Sequence, residues 1–422
     1  MNMNTISRFG LLLNDLPDIA FYVLQITLLC FFAYYLFVSA FGWIKRKGVP
    51  AEKFPAVNRF AILVAAHNEE AVIGNIIRNL KQMNYPRNMY DIFVIADNCT
   101  DGTADIARET GAKVYERFDN VKRGKGYSLE WMFEKLFKMD KKYDGICIFD
   151  ADNLASPNFL LEMNKQLSMG HNVVQGYLDS KNPNDTWISS NNSIAFWIGN
   201  RMFQLPRYYL GLSCVLGGTG FMVKTEVLKE IGWGANSLTE DLEFTMKLVL
   251  KGMKVYWSHE AVIYDEKPLK LAQSWRQRKR WMQGHFDCMR KYFGALLAKA
   301  YRDTDMVAFD SAVYLLQPVI LVFNGVIMVF GLPAFLTKLF TEGGYQSLLT
   351  LGVIYLGMFF LILERKLDLK TLKYFLTAPL YNLTWVPIVI QGLLDVNKKE
   401  WIHTLHTKVL DIDDIEGLKK VG

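Results

Sequence analysis

Cysteine is scarce in this 422-residue sequence, and its occurrences follow no ligand or disulfide spacing. The five cysteines are widely separated and include no CxxC pair: Cys30, Cys99, Cys147, Cys214 and Cys288. An odd, scattered set argues against a disulfide framework and against a structural zinc site. The central part of the chain is therefore expected to lie in a reducing, cytosolic compartment.

Charge is modest as well, because 48 Lys and Arg residues against 42 Asp and Glu residues give a net charge of +6. No basic block carries the interleaved aromatic residues that track a phosphate backbone, so we expect no nucleic-acid partner. The basic residues instead cluster beside apolar runs, as in Lys45-Arg46-Lys47 and at Arg365, Lys366, Lys370 and Lys373. This placement is typical of signals that orient a protein in a membrane.

Hydrophobic residues make up 51% of the chain and concentrate before residue 45 and after residue 310. The first apolar run, from Ile19 to Ile44, has transmembrane length and ends at Trp43 and three basic residues. It predicts a retained helix with its N-terminus outside, which delivers the central domain to the cytoplasm. Three further candidate spans cover residues 311–334, 345–363 and 374–395. Together they predict a multi-pass protein of the cell membrane.

The number of predicted crossings conflicts with the distribution of lysines. Three crossings after a cytosolic domain would leave the C-terminal tail outside, yet that tail contains Lys398, Lys399, Lys408, Lys419 and Lys420. Either the C-terminal tail does not follow the positive-inside rule, or one candidate span is re-entrant or part of a helical hairpin. The sequence leaves both alternatives open.

The central domain alternates short apolar strands with amphipathic helices. Phe60 to Ala66, Asp91 to Ala96, Val114 to Glu116 and Gly145 to Phe149 are predicted strands. This alternation predicts an α/β fold with a mostly parallel, doubly wound sheet. Ligands bind beyond the carboxyl ends of such strands, which is where Glu69, Asp97 and the Asp150–Asp152 pair fall. The stretch from 170 to 235 looks less regular.

Asp150-Ala151-Asp152 directly follows the fourth strand. Two carboxylates two residues apart at a strand end can both reach one hard cation, which predicts a metal site whose ion keeps water ligands and bridges to diphosphate oxygens. A helix cap or a solvated turn is the alternative for an isolated DxD sequence. The companion motifs favour the metal site.

Two further residues are predicted to bind a nucleotide. Asp97 ends the second strand, where its carboxylate can accept hydrogen bonds from a base or a ribose, although an Asx turn is the alternative. Lys125 lies between Gly124 and Gly126 and suits a phosphate or a base edge. A solvated lysine is its structural alternative.

Thr239-Glu240-Asp241 opens an amphipathic helix, so Thr239 suits an N-cap and the two acids suit the helix dipole. The functional interpretation makes Asp241 the general base for an acceptor hydroxyl, which requires desolvation to raise its pKa toward neutrality. Leu216 to Phe221 includes Gly218 and Thr219, which form either a tight turn or a loop that approaches a bulky ligand closely.

Gln277-Arg278-Lys279-Arg280-Trp281 lies in a predicted helix from Ala272 to about Tyr292. A basic, aromatic helix of this kind is typical of the surface of anionic lipid, and we expect that role for part of it. Arg280 is predicted to face a diphosphate, and Trp281 to stack under an acceptor sugar.

These motifs, together with Ala65-Ala66-His67-Asn68-Glu69, resemble in order those of family 2 glycosyltransferases of the membrane-embedded polysaccharide synthase type. The resemblance covers roughly residues 58–300 and implies a GT-A fold, a UDP-sugar donor, Mg2+ or Mn2+, and inversion at the anomeric carbon. It implies the following site: catalytic Asp241, Glu240 and Asp150; donor-binding Ala65, Glu69, Asp97, Lys125, Asp150 and Arg280; acceptor-binding Gly218, Thr219, Gln277 and Trp281; and metal-binding Asp150 and Asp152. The chain departs from the family pattern in having Asp97-Asn98 where an acidic pair is usual, and a single convincing helix before the catalytic domain.

The expected domain order is an N-terminal transmembrane helix (1–50), a cytosolic GT-A catalytic domain (51–265), amphipathic interface helices (266–305), C-terminal transmembrane helices (306–400) and a tail (401–422). The resemblance favours a processive synthase of an exopolysaccharide or capsule polymer. Transfer of one sugar to a lipid or lipid carrier is the alternative. The expected partners are a UDP-sugar, a growing glycan or lipid acceptor, the lipid bilayer and other polysaccharide-export proteins.

Overall fold

The computed structural model describes residues 25–44, 48–235, 237–323, 357–398 and 408–415, together with the single positions 23, 325 and 337. Within these residues the chain forms one α/β unit with helices of high apolar content attached to it. The predicted crossing at 345–363 falls mostly outside the described residues, and so does most of the 401–422 tail.

An eight-stranded sheet forms the centre of the molecule. Its strands are β1 (Phe60–Ala66), β2 (Tyr90–Asp97), β3 (Lys113–Arg117), β4 (Gly145–Asp150), β5 (Leu154–Ala155), β6 (Val173–Ser180), β7 (Phe221–Lys224) and β8 (Tyr256–Asp265), in the spatial order β3-β2-β1-β4-β7-β6-β8-β5. The pairs β3–β2, β2–β1, β1–β4 and β6–β8 are parallel, and the other three are antiparallel. The predicted mostly parallel sheet is confirmed, with β7 as an antiparallel insertion.

The register of the parallel strands brings their carboxyl ends together. Ala65 pairs with Asp150 on one side of β1, and Ala66 pairs with Ala96 on the other. Alternate side chains of these strands enter two separate apolar cores, one on each face of the sheet. Because both faces are buried, the strands read as continuous apolar runs rather than as an alternation.

The helices pack on both faces of the sheet and extend beyond it. They are α1 (Gln25–Trp43), α2 (Ile73–Lys81), α3 (Thr103–Glu109), α4 (Lys125–Lys138), α5 (Phe159–Ser168), α6 (Trp187–Gly199), α7 (Leu205–Leu210), α8 (Thr225–Ile231), α9 (Glu240–Leu250), α10 (Leu271–Asp303), α11 (Met306–Leu315), α12 (Gln317–Phe323), α13 (Gly357–Leu363), α14 (Leu369–Phe375), α15 (Ala378–Leu383) and α16 (Trp385–Leu394). The expectation of an irregular stretch over 170–235 is wrong, since β6, α6, α7, β7 and α8 all lie there. The α10 helix continues 11 residues beyond the predicted end at Tyr292.

Only α1 is long and apolar enough by itself to cross a membrane among the described residues. Helices α11 and α12 pass the same test as a pair, but they are bent by 46° at their junction. Helices α15 and α16 form a shorter apolar stretch, Ala378–Leu394. The multi-pass arrangement therefore stays a prediction.

A buried ion pair anchors α1 to the rest of the protein. The guanidinium of Arg207 donates to both carboxylate oxygens of Asp310 at 2.8 and 2.9 Å, and the Tyr34 hydroxyl donates to Asp310 at 2.6 Å. Arg207 and Asp310 are each only 1% exposed. Removing either partner would leave an uncompensated buried charge, so these contacts fix α1 against α7 and α11.

Candidate active site

A cavity of about 720 Å3 lies at the carboxyl ends of β1, β2 and β4 and extends to α9 and α10. Every residue that the sequence places in the site lines this cavity: Ala65, Glu69, Asp97, Lys125, Asp150, Asp152, Gly218, Thr219, Glu240, Asp241, Gln277, Arg280 and Trp281. Residues separated by more than two hundred positions are thus brought together, although their individual roles stay predictions.

The acidic pair is held in place by its neighbours at the end of β4. The Asp150 amide donates to the side chains of Asn153 at 3.2 Å and Thr219 at 3.0 Å. Both oxygens of Asp152 accept hydrogen bonds at 3.2 Å, one from the Asn153 amide group and one from the Glu266 backbone N–H. The Asp152 carboxylate is thus buried and oriented at the turn that follows β4, and the metal-binding role of the pair stays a prediction.

The donor set fits a hard divalent cation that keeps water and substrate ligands. Among the described residues, no group of three or more His, Cys, Asp or Glu side chains is arranged to hold a metal ion by itself. Asp150 and Asp152 would supply two carboxylate ligands to such an ion, and diphosphate oxygens and water would fill the remaining positions. This is the usual division of ligands for Mg2+ beside a nucleotide.

Asp97 is oriented by charge rather than by an Asx turn. Its Oδ1 accepts hydrogen bonds from the Arg117 guanidinium at 2.6 Å and from the Asn98 side chain at 3.1 Å. Burial raises the pKa of Asp97, and Arg117 opposes this rise. Asp101 makes the turn contacts, since its Oδ1 accepts from the Thr103 amide at 3.1 Å. The Asx alternative is therefore wrong for Asp97.

Lys125 is the first residue of α4 and follows Gly124, whose φ of +110° favours glycine. Its ammonium group donates to the Gly218 carbonyl at 2.7 Å and forms an ion pair with Asp150. Burial alone would lower the pKa of Lys125, but the carboxylates of Asp150 and Glu240 raise it above its ordinary value. The lysine therefore stays protonated and links the acidic pair to Gly218, rather than being solvated.

The start of α9 provides two desolvated carboxylates. Burial, followed by the charge of Asp241, raises the pKa of Glu240 to about 7. Burial also raises the pKa of Asp241, although the Leu242 amide donates to its Oδ1 at 2.8 Å and Lys125 opposes the shift. Thr239 occupies the N-cap position but makes no capping hydrogen bond through its side chain. The raised pKa of Asp241 agrees in direction with the one expected for a general base, a role that stays a prediction.

The Gly218 loop closes over Asp241. Gly218 has a φ of +82°, and a Cβ atom there would lie 3.4 Å from Asp241 Oδ2. The buried side chain of Gln175 fixes the loop, because it accepts from the Gly217 amide at 2.9 Å and donates to the Thr219 carbonyl at 3.0 Å. Sequence reasoning missed Gln175, which lies inside an apolar strand. The loop approaches the site closely, as one of the two alternatives for it predicts.

The α10 helix presents different residues to its two neighbours. Gln277, Arg280 and Trp281 line the cavity. Arg278 is fully buried on another side, where its guanidinium lies 4.4 Å from the Tyr381 ring centroid and 4.9 Å from that of Trp385. The motif therefore joins the cavity to the apolar helices α15 and α16.

An aromatic contact extends the Trp281 end of the cavity. Phe196 of α6 lines the cavity, and its ring centroid lies 6.2 Å from that of Trp281 in an edge-to-face arrangement. The Lys267 ammonium lies 3.3 Å from the Phe196 centroid and pairs with Asp265 at 2.7 Å. Sequence reasoning missed all three new residues, since α6 carries no recognisable motif and Asp265-Glu266-Lys267 resembles an ordinary strand end.

Comparisons with known proteins give a consistent result. The family model described as "Glycosyltransferase like family 2" matches residues 55–284. The chain is 25% identical over 369 residues to a probable glycosyltransferase, YdaM, of Bacillus subtilis, which covers 81% of this chain and 84% of the relative. It is also 25% identical over 371 residues to a β-monoglucosyldiacylglycerol synthase of Trichormus variabilis, covering 82% and 76% of the two chains.

A solved structure shares the fold. The mannosyltransferase PcManGT from Pyrobaculum calidifontis, solved with GDP-Man and Mn2+, superposes with a TM-score of 0.57 and 16% sequence identity. The match covers 90% of this chain and 98% of the other. The α/β unit is accordingly GT-A-like, as the motifs predict.

Proposed function

Because this chain belongs to glycosyltransferase family 2 and is a glycosyltransferase, we propose that it transfers a sugar from a UDP-sugar to a hydroxyl acceptor at a membrane surface, with inversion. The single observation that carries the proposal is the one cavity in which a carboxylate pair, a desolvated base candidate and an aromatic end are brought together. The similarity to a probable glycosyltransferase and to a β-monoglucosyldiacylglycerol synthase supports sugar transfer but does not identify the donor sugar.

The donor half of the cavity is suited to a nucleotide diphosphate. Asp150 and Asp152 would hold Mg2+ or Mn2+, which supplies charge neutralisation to the leaving diphosphate when it is bound. Arg280, which lines the same cavity, adds a fixed cation, and Lys125 can move from Asp150 to a phosphate oxygen at no loss of ionic contact. Asp97, oriented by Arg117, would accept hydrogen bonds from the nucleoside.

The acceptor hydroxyl would lie beside Asp241. As the hydroxyl oxygen attacks the anomeric carbon, its proton passes to an Asp241 carboxylate oxygen, and the bond from that carbon to the diphosphate oxygen breaks on the opposite face. The raised pKa of Asp241 makes it a stronger base, provided that it is deprotonated before attack. Glu240, which shares the same buried region, can hold a proton near neutral pH and limit the local negative charge.

A lipid or lipid-linked hydroxyl is the acceptor we favour. The helix that presents Trp281 to the cavity packs through Arg278 against the apolar α15 and α16 helices, so the Trp281 end of the cavity lies near an apolar surface that suits a lipid. Similarity to a β-monoglucosyldiacylglycerol synthase over 82% of this chain supports a glycolipid product. The Gln-Arg-x-Arg-Trp sequence favours the second candidate, a growing glycan, for which other polysaccharide-export proteins would be partners.

Product analysis tests this function. Purified protein in mixed lipid and detergent would be incubated with each of a panel of labelled UDP-sugars, with and without Mn2+. We expect UDP release that depends on metal and a single labelled product that partitions into organic solvent. A ladder or high-mass polymer would instead establish the growing glycan as the acceptor. If the folded protein released UDP from none of the UDP-sugars, the proposal would be contradicted.

A further inference from the structure

Residues 364–398, which we name the return segment, contact the catalytic unit at both ends. The predicted crossing at 374–395 lies inside this segment. We propose that the return segment does not cross the membrane: it starts and finishes on the side of the catalytic domain and lies in the near leaflet of the bilayer, and residues 408–415 are on that same side. This inference is independent of which sugar or acceptor the enzyme uses.

The start of the return segment is tied to α6, β6 and the residues that follow α6. Glu364 pairs with Arg201 at 3.2 Å, and both side chains are less than 10% exposed. Lys366 pairs with the buried Asp179 of β6 at 2.5 Å. A few residues later, the Asn191 side chain of α6 donates to the Thr377 hydroxyl at 2.7 Å. These are buried, directional contacts, so this end cannot lie across a bilayer from the sheet.

The middle of the segment is fixed by the buried arginine of α10. Arg278 donates to the Thr384 hydroxyl at 2.9 Å, at the break between α15 and α16. Its guanidinium also contacts the Tyr381 and Trp385 rings on either side of that break. Since α10 carries cavity residues on another side, the break lies against the catalytic unit as well.

The far end of the segment returns to the same helix. The Gln283 side chain of α10 donates to the backbone carbonyls of Asp395 at 2.8 Å and Lys398 at 3.0 Å. The Asp395 carboxylate also pairs with Lys279. Because α10 contacts the segment at its middle and at its far end, the chain makes no net displacement across a membrane between these points.

Residues 408–415 pack against the edge of the sheet. The Lys408 backbone N–H donates to the Glu266 carboxylate at 3.0 Å, and the Asn75 side chain donates to the Leu410 carbonyl at 2.5 Å. Ile412 and Ile415 join a buried cluster with Leu154 of β5. This part of the C-terminal region is therefore beside the active site and on the catalytic side.

Length and exposure point to the bilayer surface as the partner of the return segment. The 17 residues of Ala378–Leu394 span about 25 Å even if fully helical, which is short of the roughly 30 Å hydrocarbon core. Leu376 and Leu380, on either side of the start of α15, are each 62% exposed, and Leu394 is 76% exposed. Exposed Lys370 and Lys373 precede them and suit anionic headgroups. An apolar face beside lysines is typical of an interfacial helix.

The conflict between the crossing count and the lysine distribution is removed by this arrangement. The described chain is beside the catalytic unit at the end of α10, where Leu296 joins the buried cluster of α9, and again at Glu364. On this proposal the described residues from Glu364 onward, 364–398 and 408–415, include no crossing. Lys398 and Lys408 then lie on the side of the catalytic domain, as the positive-inside rule requires.

Single cysteines in an active, cysteine-free background test the topology. Asp140→Cys marks the catalytic domain, Lys373→Cys and Asn397→Cys bracket the predicted crossing, and Asp413→Cys marks the tail. Right-side-out and inverted vesicles would be treated with a membrane-impermeant maleimide. We expect all four positions to be labelled in the same vesicle population. Labelling of Lys373→Cys and Asn397→Cys in opposite populations would establish a crossing and overturn the proposal.

Depth measurements test the contact with lipid. Nitroxide labels at Leu380 and Leu394 would be examined by power saturation with oxygen and with a water-soluble nickel complex. We expect both labels to lie at a shallow depth in the acyl region, with higher oxygen than nickel accessibility. A label at the bilayer centre at either position, or full accessibility to nickel at both, would contradict a near-leaflet location.

Discussion

The Asp241→Asn substitution removes the proposed base while leaving its surroundings in place. The asparagine carbonyl can accept the 2.8 Å hydrogen bond from the Leu242 amide, and an amide fills the same space beside Gly218. Positioned general bases contribute about 10²- to 10⁴-fold to rate, which corresponds to roughly 2.7–5.5 kcal/mol of barrier. We therefore expect kcat to fall about 10²- to 10⁴-fold, with the donor KM unchanged or lower because one negative charge beside the diphosphate is lost.

Glu240→Gln is the matched control, since it replaces the adjacent carboxyl group of the same helix by an amide. Burial and Asp241 raise the pKa of Glu240 to about 7, so near pH 7 much of it is already neutral and the substitution changes less. We expect a loss of no more than about tenfold, well under the range for a general base. Coupled UDP-release kinetics, with far-UV circular dichroism as a check on folding, measure both variants. Asp241→Asn activity within tenfold of wild type, or equal losses in the two variants, would refute the assignment of Asp241.

Four further outcomes are expected. Burial raises the pKa of Asp241, so kcat/KM should fall as pH decreases through a value above the ordinary aspartate range, and an acid limb near pH 4 would contradict this. EDTA should abolish transfer and Mn2+ or Mg2+ should restore it in wild type but not in Asp152→Asn; metal-independent turnover would exclude this role. Phe196→Ala should raise the acceptor KM several-fold with the donor KM unchanged, and Phe196→Tyr should restore it; equal changes in both KM values would indicate a general structural defect. Gly218→Ala should lower kcat, because Gly218 has a φ of +82° and a Cβ atom there would lie 3.4 Å from Asp241 Oδ2; full activity would show that the loop has room there.

The strand ends and the motif residues of the site were accessible from the sequence. Asp150 and Asp152 follow an apolar strand, and parallel strands bring such ends together, so their proximity to Asp97 follows from fold class alone. Trp281 and Arg280 required the resemblance to known motifs, because helical periodicity alone does not decide which side of a basic, aromatic helix faces a cavity. In the structure Arg280 and Trp281 line the cavity, whereas Arg278 packs against Tyr381 of α15.

The contacts that shape the site could not be predicted from the sequence. Phe196 belongs to a helix in the stretch expected to be irregular, and its ring is contacted by Lys267 from a distant part of the chain. Gln175 looks like a polar interruption in a strand until its two hydrogen bonds to the Gly217–Thr219 loop are seen. The 374–395 run has the composition of a membrane span, and only the long-range contacts of its two ends argue otherwise. Tertiary contacts of this kind leave no local pattern in a single sequence.

The central claim is that one cavity contains both a donor site that depends on metal and a base that takes no part in donor binding. Binding of UDP, measured by calorimetry with and without Mn2+, tests this claim. We predict that wild type and Asp241→Asn bind UDP with similar affinity in Mn2+ and lose most of it in EDTA, while Asp152→Asn binds weakly under both conditions. Equal binding by Asp152→Asn and wild type in Mn2+, or loss of UDP binding in Asp241→Asn, would contradict that division of roles.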